Sequence, residues 1–455
     1  MSIEAVNPAT GESLRTYEEM SPAEVESIVA AAHEAWLDWR RVPFADRAEL
    51  MIGAADLLRQ HRGDYAGLMA DEMGKPLAGG RSEVDKCAWV CDYYAERAEE
   101  FLAPVSIETD ASESFVGHQP LGVILAIMPW NFPFWQVFRF AAPGLMAGNA
   151  AVLKHASNVP GCALAIETVF REAGFPEGLF RSLLIGSGAV EAVIEDPRVR
   201  AVTLTGSGPA GRAVAAAAGK ALKKSVLELG GSDPYVILED ADLGHAVQAC
   251  VTSRLINSGQ SCIAAKRFVV VEARRREFEE RFVEMMGAKK MGDPHDGHTD
   301  VGPQARPDLR DQLHAQVERS IERGARCALG GEIPPGPGAF YPPTVLCDVG
   351  PGMPAYDEEL FGPVAAIIGA ADEAAAIEIA NDSPFGLGAA VFTADAERGR
   401  RIAAEELQAG CCFVNDFVRS DPRLPFGGIK ESGYGRELSR LGIHEFVNAK
   451  TVWVR

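Results

Sequence analysis

The chain has 455 residues, of which 47% are hydrophobic and 24% are charged, and its formal net charge is −20. A chain of this length exceeds what one hydrophobic core organises, so we expect at least two lobes with a cleft between them. The ordinary composition excludes a disordered or fibrous protein. The acidic field disfavours nucleic acid and anionic membrane surfaces as partners.

The cysteines and the first residues indicate a reducing compartment. Nine cysteines, an odd number without clustered spacing, are typical of free thiols rather than of a disulfide framework. Residues 1–5 lack the basic segment and apolar run of a signal peptide. No apolar run reaches the roughly 18 to 20 residues of a membrane-spanning helix. We therefore expect a cytoplasmic protein that does not associate with membranes.

Helices dominate the predicted elements of residues 22–100, where Ala, Leu, Glu and Arg recur at spacings of three and four. Ser21 is the predicted cap of the first helix, with Pro22 in its first turn. Short apolar runs then alternate with helical segments, which is typical of a parallel, doubly wound sheet. The predicted strands of this first series are residues 123–128, 151–154, 182–185, 201–205 and 225–229.

A second alternating series follows the Gly230-Gly231 pair, which we take as the boundary between two lobes. Its predicted strands are residues 235–238, 267–271, 365–368 and 389–392. Two segments, residues 102–119 and 448–455, fit neither series and are candidates for strands outside the main sheets. The predicted fold is therefore α/β, with two doubly wound lobes and a small additional β element.

Cys262 is the candidate nucleophile. It ends the polar stretch Asn257-Ser258-Gly259-Gln260-Ser261-Cys262, which follows a helical pattern. An ordinary cysteine, with a pKa of about 8.5, is mostly protonated at neutral pH, so a reactive one needs backbone amides or a helix terminus nearby. Taken alone, a cysteine is more often a small buried side chain, so the surrounding motifs must decide.

Glu228 ends an apolar strand pattern just before the glycine pair. Burial at that position would raise the pKa of its carboxyl towards the range of a general base, although a paired structural carboxylate fits equally well. A third interpretation comes from residues 206–211, which match the dinucleotide-binding fingerprint and place Glu228 near the spacing of a ribose ligand. That fingerprint normally follows the first strand of its lobe, whereas several predicted strands precede this one.

Together, the motifs resemble those of the aldehyde dehydrogenase superfamily, in that family's order and over nearly the whole chain. The similar segments are Pro129-Trp130-Asn131-Phe132-Pro133, Leu153-Lys154 with Ser157, Gly206-Ser207 with Gly211, Glu228-Leu229-Gly230-Gly231, Gly259-Gln260-Ser261-Cys262, Glu359-Leu360-Phe361-Gly362-Pro363, and Pro425-Phe426-Gly427-Gly428-Ile429-Lys430 with Ser432-Gly433. Within the family, residues 131–136 and 154–158 are most similar to bacterial succinate-semialdehyde dehydrogenases.

The resemblance implies three structural parts. These are a Rossmann-like cofactor-binding domain of residues 1–101 and 120–229, a catalytic domain of residues 230–447, and an oligomerisation element of residues 102–119 and 448–455. A homodimer or homotetramer is the assembly that the family leads us to expect.

The resemblance also implies NAD(P)-dependent oxidation of an aldehyde to a carboxylic acid through a covalent thioester. Cys262 would attack the aldehyde carbon, Asn131 and the Cys262 backbone N–H would stabilise the oxyanion, and Glu228 would activate water. The residues implied in cofactor binding are Trp130, Lys154, Ser157, Gly206, Ser207, Gly211, Glu359 and Phe361.

Position 157 bears on the choice of cofactor. Many NAD-preferring members of the family carry a glutamate three residues after the lysine, where it repels a 2′-phosphate. This chain has Ser157 there. Lys154, Ser157 and the neighbouring His155 would then accept a phosphate, so we expect NADP to be preferred to NAD.

A semialdehyde such as succinate semialdehyde carries its own carboxylate, so a cation is expected near Cys262. Arg139 is the candidate, and Ser420 would add a hydroxyl donor. An ion pair of Arg139 within its helix or at a subunit interface is the alternative. Trp130, Trp135 and Phe426 are expected to line the channel for the aldehyde.

Other functions stay open at this point. One is a dehydrogenase for another short aliphatic aldehyde or semialdehyde, and another is an acylating enzyme that passes the thioester to coenzyme A, which the presence of Glu228 disfavours. A non-catalytic binding protein on the same fold would be expected to lack Cys262 or Glu228. No metal site is expected, because Cys87 and Cys91 fall at helical spacing without a local histidine.

Overall fold

The computed structural model describes residues 2–455, which form strands and helices that alternate along most of the chain. The strands are β1 (Ser2–Val6), β2 (Ser13–Glu18), β3 (Val105–Ser106), β4 (Glu113–Pro120), β5 (Val123–Met128), β6 (Ala150–His155), β7 (Phe180–Ser182), β8 (Val199–Thr205), β9 (Lys224–Glu228), β10 (Pro234–Ile237), β11 (Arg267–Val271), β12 (Arg326–Leu329), β13 (Thr344–Cys347), β14 (Val364–Ala370), β15 (Gly388–Phe392), β16 (Cys411–Val414), β17 (Gly433–Tyr434) and β18 (Val447–Val454). The α-helices are α1 (Pro22–Trp39), α2 (Phe44–Gln60), α3 (Arg62–Met73), α4 (Leu77–Leu102), α5 (Trp135–Met146), α6 (Pro160–Glu172), α7 (Val190–Glu195), α8 (Gly208–Lys220), α9 (Leu243–Leu255), α10 (Glu272–Gly287), α11 (Pro307–Glu322), α12 (Pro354–Asp357), α13 (Glu373–Asn381), α14 (Ala396–Arg401) and α15 (Ser439–His444).

The N-terminal region is helical, as predicted, and consists of α1 to α4. α1 begins at a capping box, in which the Ser21 hydroxyl accepts from the N–H of Glu24 and the Glu24 carboxylate accepts from the N–H of Ser21. The indole of Trp39, at the end of α1, donates to the carbonyl oxygen of Leu145 at 3.0 Å. This bond ties the helical region to α5 and so to the first large sheet. The antiparallel pair of β1 and β2 was not predicted.

The first large sheet has six strands in the order β17-β9-β8-β5-β6-β7. The neighbours are parallel except for β17, which runs antiparallel to β9. All five strands of the first predicted series are present. β7 spans Phe180–Ser182 and shares only Ser182 with the predicted strand of residues 182–185, because the buried Leu183 and Ile185 lie beyond the hydrogen-bonded strand. The register places Thr205 beside Glu228, so the carboxyl ends of β8 and β9 share one edge of the sheet.

The second large sheet has seven strands in the order β12-β13-β14-β11-β10-β15-β16. Only β12 runs antiparallel to its neighbour within this sheet. The four predicted strands of the second series are present as β10, β11, β14 and β15, and three further strands extend the sheet. Buried apolar side chains cover both faces, as a parallel sheet requires. The predicted α/β class with two doubly wound sheets is confirmed.

A third, three-stranded sheet has the order β18-β4-β3 and lies outside the two larger sheets. β4 and β18 pair antiparallel over eight residues, from Glu113 beside Val454 to Pro120 beside Val447. Strands were expected in this part of the chain, whereas the domain boundaries and a role of this sheet in assembly stay predictions. Across residues 2–455, no helix is both long enough and apolar enough to cross a bilayer.

Candidate active site

Cys262 follows a sharply turned segment between α9 and β11. Asn257 and Ser258 have left-handed backbone angles, with φ of 55° and 57°, and Gly259 follows with φ of 78°. A Cβ atom on Gly259 would lie 2.2 Å from the carbonyl oxygen of Gly362, so this close approach requires glycine. Such concentrated left-handed conformation is typical of functional sites.

Lys266 fixes the turn that carries Cys262. Its buried Nζ donates to the carbonyl oxygens of Ser261, Cys262 and Ala264 at 2.9, 2.7 and 3.0 Å. Sequence reasoning did not assign it a role, because a lysine next to a strand is ordinarily an exposed charge. The only available signal was its position four residues after the candidate nucleophile.

The side chain of Asn131 lies against residues 257–262, the stretch that ends at Cys262. Its Nδ2 donates to the carbonyl oxygen of Gln260 at 3.0 Å, and its Oδ1 accepts from Nε2 of Gln136 at 3.1 Å. Asn257 Nδ2 donates to the carbonyl oxygens of Asn131 and Gln260 at 2.6 and 3.0 Å. One N–H of the Asn131 amide is left for a substrate oxygen, as an oxyanion donor requires.

Burial and nearby positive charges act in opposite directions on the pKa of the Cys262 thiol. Burial raises its pKa to about 12, although the positive charges of Arg139 and Lys266 act in the opposite direction. The thiol becomes a nucleophile when a proton acceptor or a further positive charge reaches it.

The Glu228 carboxyl is buried at the end of β9 and has no hydrogen-bond partner among residues 2–455. Burial raises its pKa well above the usual value, and Glu437 raises it further, while Arg139 lowers it. A Cβ atom on Gly427 would lie 2.6 Å from Glu228 Oε1, so that glycine leaves room for the carboxyl. A buried carboxyl with a raised pKa has the property that a general base needs.

A cavity of about 310 Å³ opens beside Cys262. It brings together the four predicted substrate residues, Trp135, Arg139, Ser420 and Phe426. Further apolar walls come from Phe132, Ile256, Ile263 and Val418. Trp130, which was also expected in the channel, does not line this cavity, and neither does Glu228. A mostly apolar cleft with a few polar groups is the usual form of a small-molecule site.

Arg139 is buried and already paired. Its guanidinium forms an ion pair with Glu437, and its Nη2 donates to Thr205 Oγ1 at 3.1 Å. The alternative to a substrate contact was an ion pair within the helix or at a subunit interface. The structure shows an ion pair, but its partner, Glu437, lies far from Arg139 in the sequence. A contact of Arg139 with substrate stays a prediction.

Sequence reasoning missed Lys86, a residue of α4 that lines the same cavity. Its Nζ donates to Ser420 Oγ at 2.7 Å and lies 4.3 Å from the centroid of the Trp135 ring. No sequence signal identified it, because a lysine in an amphipathic helix is ordinarily a solvated charge.

A second cavity, of about 550 Å³, lies between α7, α8 and the first large sheet. Lys154 lines it together with Ile127 and Leu204, and burial lowers the pKa of Lys154. Among residues 2–455, Lys154 has no ion-pair partner. An unpaired cation in an apolar cleft at the carboxyl ends of parallel strands fits a phosphate-bearing dinucleotide. Glu228 does not line this cavity, which disfavours a contact of Glu228 with ribose.

The turn after β6 carries the two other residues considered for a phosphate. Ser157 is exposed there. His155 is buried, its Nδ1 accepts from the N–H of Ala156 at 2.9 Å, and its Nε2 donates to the carbonyl oxygen of Pro133 at 2.9 Å. Burial also lowers the pKa of His155 to about 4. The expectation that His155 helps to accept a phosphate is therefore wrong, because both ring nitrogens are occupied by the backbone.

Gly206 and Ser207 form the turn between β8 and α8. The Ser207 side chain makes no capping hydrogen bond, so N–H groups in the first turn of α8 are left for a ligand. A Cβ atom on Gly211 would lie 2.6 Å from the side chain of Leu229. Gly211 therefore allows the helix to pack closely on the chain after β9.

Glu359 contacts the glycine pair after β9 and the lysine that fixes the Cys262 turn. Its Oε1 accepts from the N–H of Gly231 at 3.0 Å and lies 3.6 Å from Lys266 Nζ. Phe361, two residues later, contacts Trp130 edge to face, with ring centroids 5.7 Å apart. These three predicted cofactor residues thus lie beside the two segments that carry Cys262 and Asn131.

Comparison with known proteins identifies the class that this fold and this site define. The chain belongs to the aldehyde dehydrogenase family, whose family model matches residues 1–452. The family resemblance predicted from the ordered motifs is confirmed.

Relatives named for a single activity are similar to this chain over their full lengths. A probable NADP(+) succinate-semialdehyde dehydrogenase of Synechocystis sp. (strain ATCC 27184 / PCC 6803 / Kazusa) is 53% identical over 454 residues, which cover 100% of both chains. NADP(+) succinate-semialdehyde dehydrogenase 1 of Mycobacterium tuberculosis (strain ATCC 25618 / H37Rv) is 50% identical over 457 residues, again with 100% of both chains covered. The crystal structure of succinic semialdehyde dehydrogenase from Streptococcus pyogenes with NADP+ superimposes with a TM-score of 0.97, at 39% identity and with 99% of each chain covered.

Proposed function

We propose that this aldehyde dehydrogenase oxidises succinate semialdehyde to succinate and uses NADP in preference to NAD. The observation that carries the proposal is the cavity at Cys262, where apolar walls surround a few cationic and hydroxyl groups. This composition suits a short aliphatic chain with a carboxylate at its far end. The full-length similarity to relatives named for this activity supports the same substrate.

Cys262 is the proposed nucleophile. After the thiol has lost its proton to water, the sulfur bonds to the aldehyde carbon, and the carbonyl oxygen becomes an oxyanion that accepts hydrogen bonds from the Asn131 side chain and the Cys262 backbone N–H. When bound, the nicotinamide supplies a hydride acceptor, and loss of hydride from the substrate carbon leaves a thioester on Cys262. The positive charge of a bound, oxidised nicotinamide ring would also favour the Cys262 thiolate over the neutral thiol.

Glu228 is the proposed base for the second half of the reaction. It takes a proton from water, the resulting hydroxide adds to the thioester carbon, and the carbon–sulfur bond breaks. Succinate leaves and Cys262 is free again. Burial raises the pKa of Glu228, and this makes its carboxylate a stronger base. The carboxyl lies at the end of β9, beside Gly427.

The second cavity is the proposed site of the adenosine half of the cofactor. Lys154 supplies an unpaired cation, and Ser157 stands where a carboxylate would repel a 2′-phosphate. Trp130, Glu359 and Phe361 would hold the nicotinamide end beside Cys262. We also propose that residues 102–119 and 448–455 mediate formation of a homodimer or homotetramer, with residues 1–101 and 120–229 as the cofactor-binding domain and residues 230–447 as the catalytic domain.

An aldehyde panel run with each cofactor, followed by the absorbance of the reduced nicotinamide, tests the proposal. We expect the highest kcat/KM for succinate semialdehyde with NADP, in the absence of coenzyme A. A hundredfold advantage for NAD would contradict the cofactor assignment. Equal kcat/KM values for succinate semialdehyde and butanal would contradict the substrate assignment.

A further inference from the structure

We propose that Lys266 is a positioning residue for the oxyanion. Its ammonium orients and polarises the peptide group that joins Ser261 to Cys262, and the N–H of that peptide stabilises the oxyanion. The inference rests on the proposed function, in which the sulfur of Cys262 adds to an aldehyde carbon. It gives a part in the reaction to a buried lysine that does not line the cavity.

The hydrogen bonds of Lys266 show that its side chain is charged. Nζ donates to the carbonyl oxygens of Ser261, Cys262 and Ala264 at 2.9, 2.7 and 3.0 Å. Three donated bonds use all three hydrogens of an ammonium, because a neutral amine has only two. Burial lowers the pKa of Lys266, while the carboxylate of Glu359, 3.6 Å away, raises it. A positive charge therefore faces the carbonyl side of the Cys262 turn.

The direction of the Cys262 N–H follows from the geometry of its peptide group. The peptide bonds of residues 2–455 are trans, so the C=O of Ser261 and the N–H of Cys262 point in opposite directions within one plane. Since the carbonyl points at Lys266, the N–H points away from it. This N–H meets no acceptor among residues 2–455, although Cys262 lines the cavity. It is therefore available to a substrate oxygen.

The charge of Lys266 also strengthens this donor. Hydrogen bonds in a chain polarise one another, so an ammonium on the carbonyl oxygen of a peptide makes the N–H of the same peptide a stronger donor. The low effective dielectric of a buried site enlarges the effect. The stabilisation grows as negative charge develops on the substrate oxygen, so it acts on the transition state more than on the bound aldehyde.

The other oxyanion donor is held to the same turn. Asn131 Nδ2 donates to the carbonyl oxygen of Gln260 at 3.0 Å, and the next carbonyl along the chain, that of Ser261, accepts from Lys266. Successive peptide groups are thus fixed by Asn131 and by Lys266. This arrangement sets the position of the Cys262 N–H relative to the Asn131 amide.

Arg254 offers an internal comparison, because it is a second buried cation that holds this turn. Its Nη2 donates to the carbonyl oxygen of Gly259 at 2.7 Å. The N–H of that peptide belongs to Gln260 and donates to the carbonyl oxygen of Asn257 at 3.0 Å, so it is not available to substrate. Arg254 therefore stabilises the turn without acting on an oxyanion donor.

Two rates, compared in Lys266→Met and Arg254→Met, test the inference. The burst of reduced nicotinamide with succinate semialdehyde and NADP requires the oxyanion, whereas alkylation of Cys262 by iodoacetamide displaces iodide and forms none. For Lys266→Met we expect the burst rate to fall about 100-fold, the scale of losing one oxyanion donor, with KM for the aldehyde within about threefold. Alkylation at the same pH should slow less than about tenfold, through a smaller thiolate fraction. Arg254→Met should lower the two rates by the same factor.

A spectroscopic measurement separates a weaker donor from a disturbed fold. In Glu228→Gln the thioester carbonyl on Cys262 remains at the oxyanion position, and its infrared stretching frequency, identified with an isotope-labelled aldehyde carbon, reports the hydrogen bonds that it accepts. Adding Lys266→Gln should move this frequency upwards, and adding Arg254→Met should leave it unchanged. Lys266→Gln also replaces Lys266→Met in the rate comparison if the latter lacks a cooperative thermal unfolding transition.

Proportional losses of the burst and alkylation rates in the Lys266 variants, or a thioester frequency that Lys266→Gln leaves unchanged, would overturn the inference. A different result marks failure of the proposed function. In that case the native enzyme forms no reduced nicotinamide with succinate semialdehyde, or Cys262→Ser forms it at the native rate.

Discussion

Replacing Asn131 with alanine is the most direct test of the oxyanion geometry. The variant removes the amide N–H that remains for the substrate oxygen, and loss of one oxyanion donor typically costs about 10²- to 10³-fold in kcat, or about 2.7 to 4 kcal/mol. The effect should fall on kcat with little change in KM, because the interaction strengthens only as negative charge develops.

The turn that carries Cys262 should survive this change. The carbonyl oxygen of Gln260, which loses its bond from the Asn131 side chain, keeps the one from Asn257 at 3.0 Å. The second bond of Asn257 goes to the backbone carbonyl of residue 131, which the substitution leaves in place. Alkylation of Cys262 by iodoacetamide should therefore proceed at the native rate in Asn131→Ala.

Gln136→Met is the matched comparison, because the Gln136 side chain, which also lines the cavity, donates its hydrogen bond to Asn131 Oδ1 at 3.1 Å. Loss of one neutral hydrogen bond is worth about 1 kcal/mol, which corresponds to about a fivefold fall in kcat. Stopped-flow measurement of reduced nicotinamide formation gives the rate of the first half-reaction in each variant. If Asn131→Ala lost less than about tenfold, or if Gln136→Met lost as much as Asn131→Ala, the assignment of Asn131 as the donor would be refuted.

Three further predictions concern the base, the cofactor and pH. Glu228→Gln should keep a single-turnover burst of reduced nicotinamide and lose steady-state turnover about 10²- to 10⁴-fold. Weakened NADP binding without a trapped thioester would instead favour a contact of Glu228 with the cofactor ribose. Ser157→Glu should raise KM for NADP at least about tenfold and leave KM for NAD within about threefold. Ser157→Ala is the control, and a parallel change for both cofactors would contradict a phosphate contact at this position. Burial lowers the pKa of His155 to about 4, so its imidazole stays neutral in the folded protein above that pH. In the unfolded chain the same side chain takes up a proton below about pH 6.5. The free energy of unfolding should therefore fall by about 3 kcal/mol between pH 6.5 and 4. Urea denaturation of the native protein and of His155→Gln measures this difference, and an equal pH dependence in the two would count against it.

Much of the architecture could be predicted because the strands of both large sheets are nearly continuous apolar runs. Val123–Met128 and Arg267–Val271 match their predicted bounds, since burial on both faces leaves little ambiguity about where such a strand begins and ends. β12 carries two exposed residues at the edge of the second sheet, and β1 and β2 form a mostly exposed hairpin. Exposed strands lack that pattern, so these elements went unpredicted.

The candidate site divides along a similar line. Cys262, Asn131 and Glu228 lie in motifs with local signals, namely glycines, a proline and strand ends. Lys86 and Lys266 have no such signal, because their importance comes from what tertiary packing places around them. The state of Arg139 was equally hidden, since its partner Glu437 lies in a distant part of the chain.

The short strand β17 has a consequence for how the protein becomes active. Gly433 and Tyr434 close the edge of the first sheet by pairing with Glu228 and Leu227. During synthesis, β9 is therefore an open edge strand, available to mispair with another chain, until the ribosome has released these late residues. The carboxyl proposed as the base stands at the end of that strand, so a nascent chain can pair the five parallel strands of this sheet before the residues that close its edge beside Glu228 have been made.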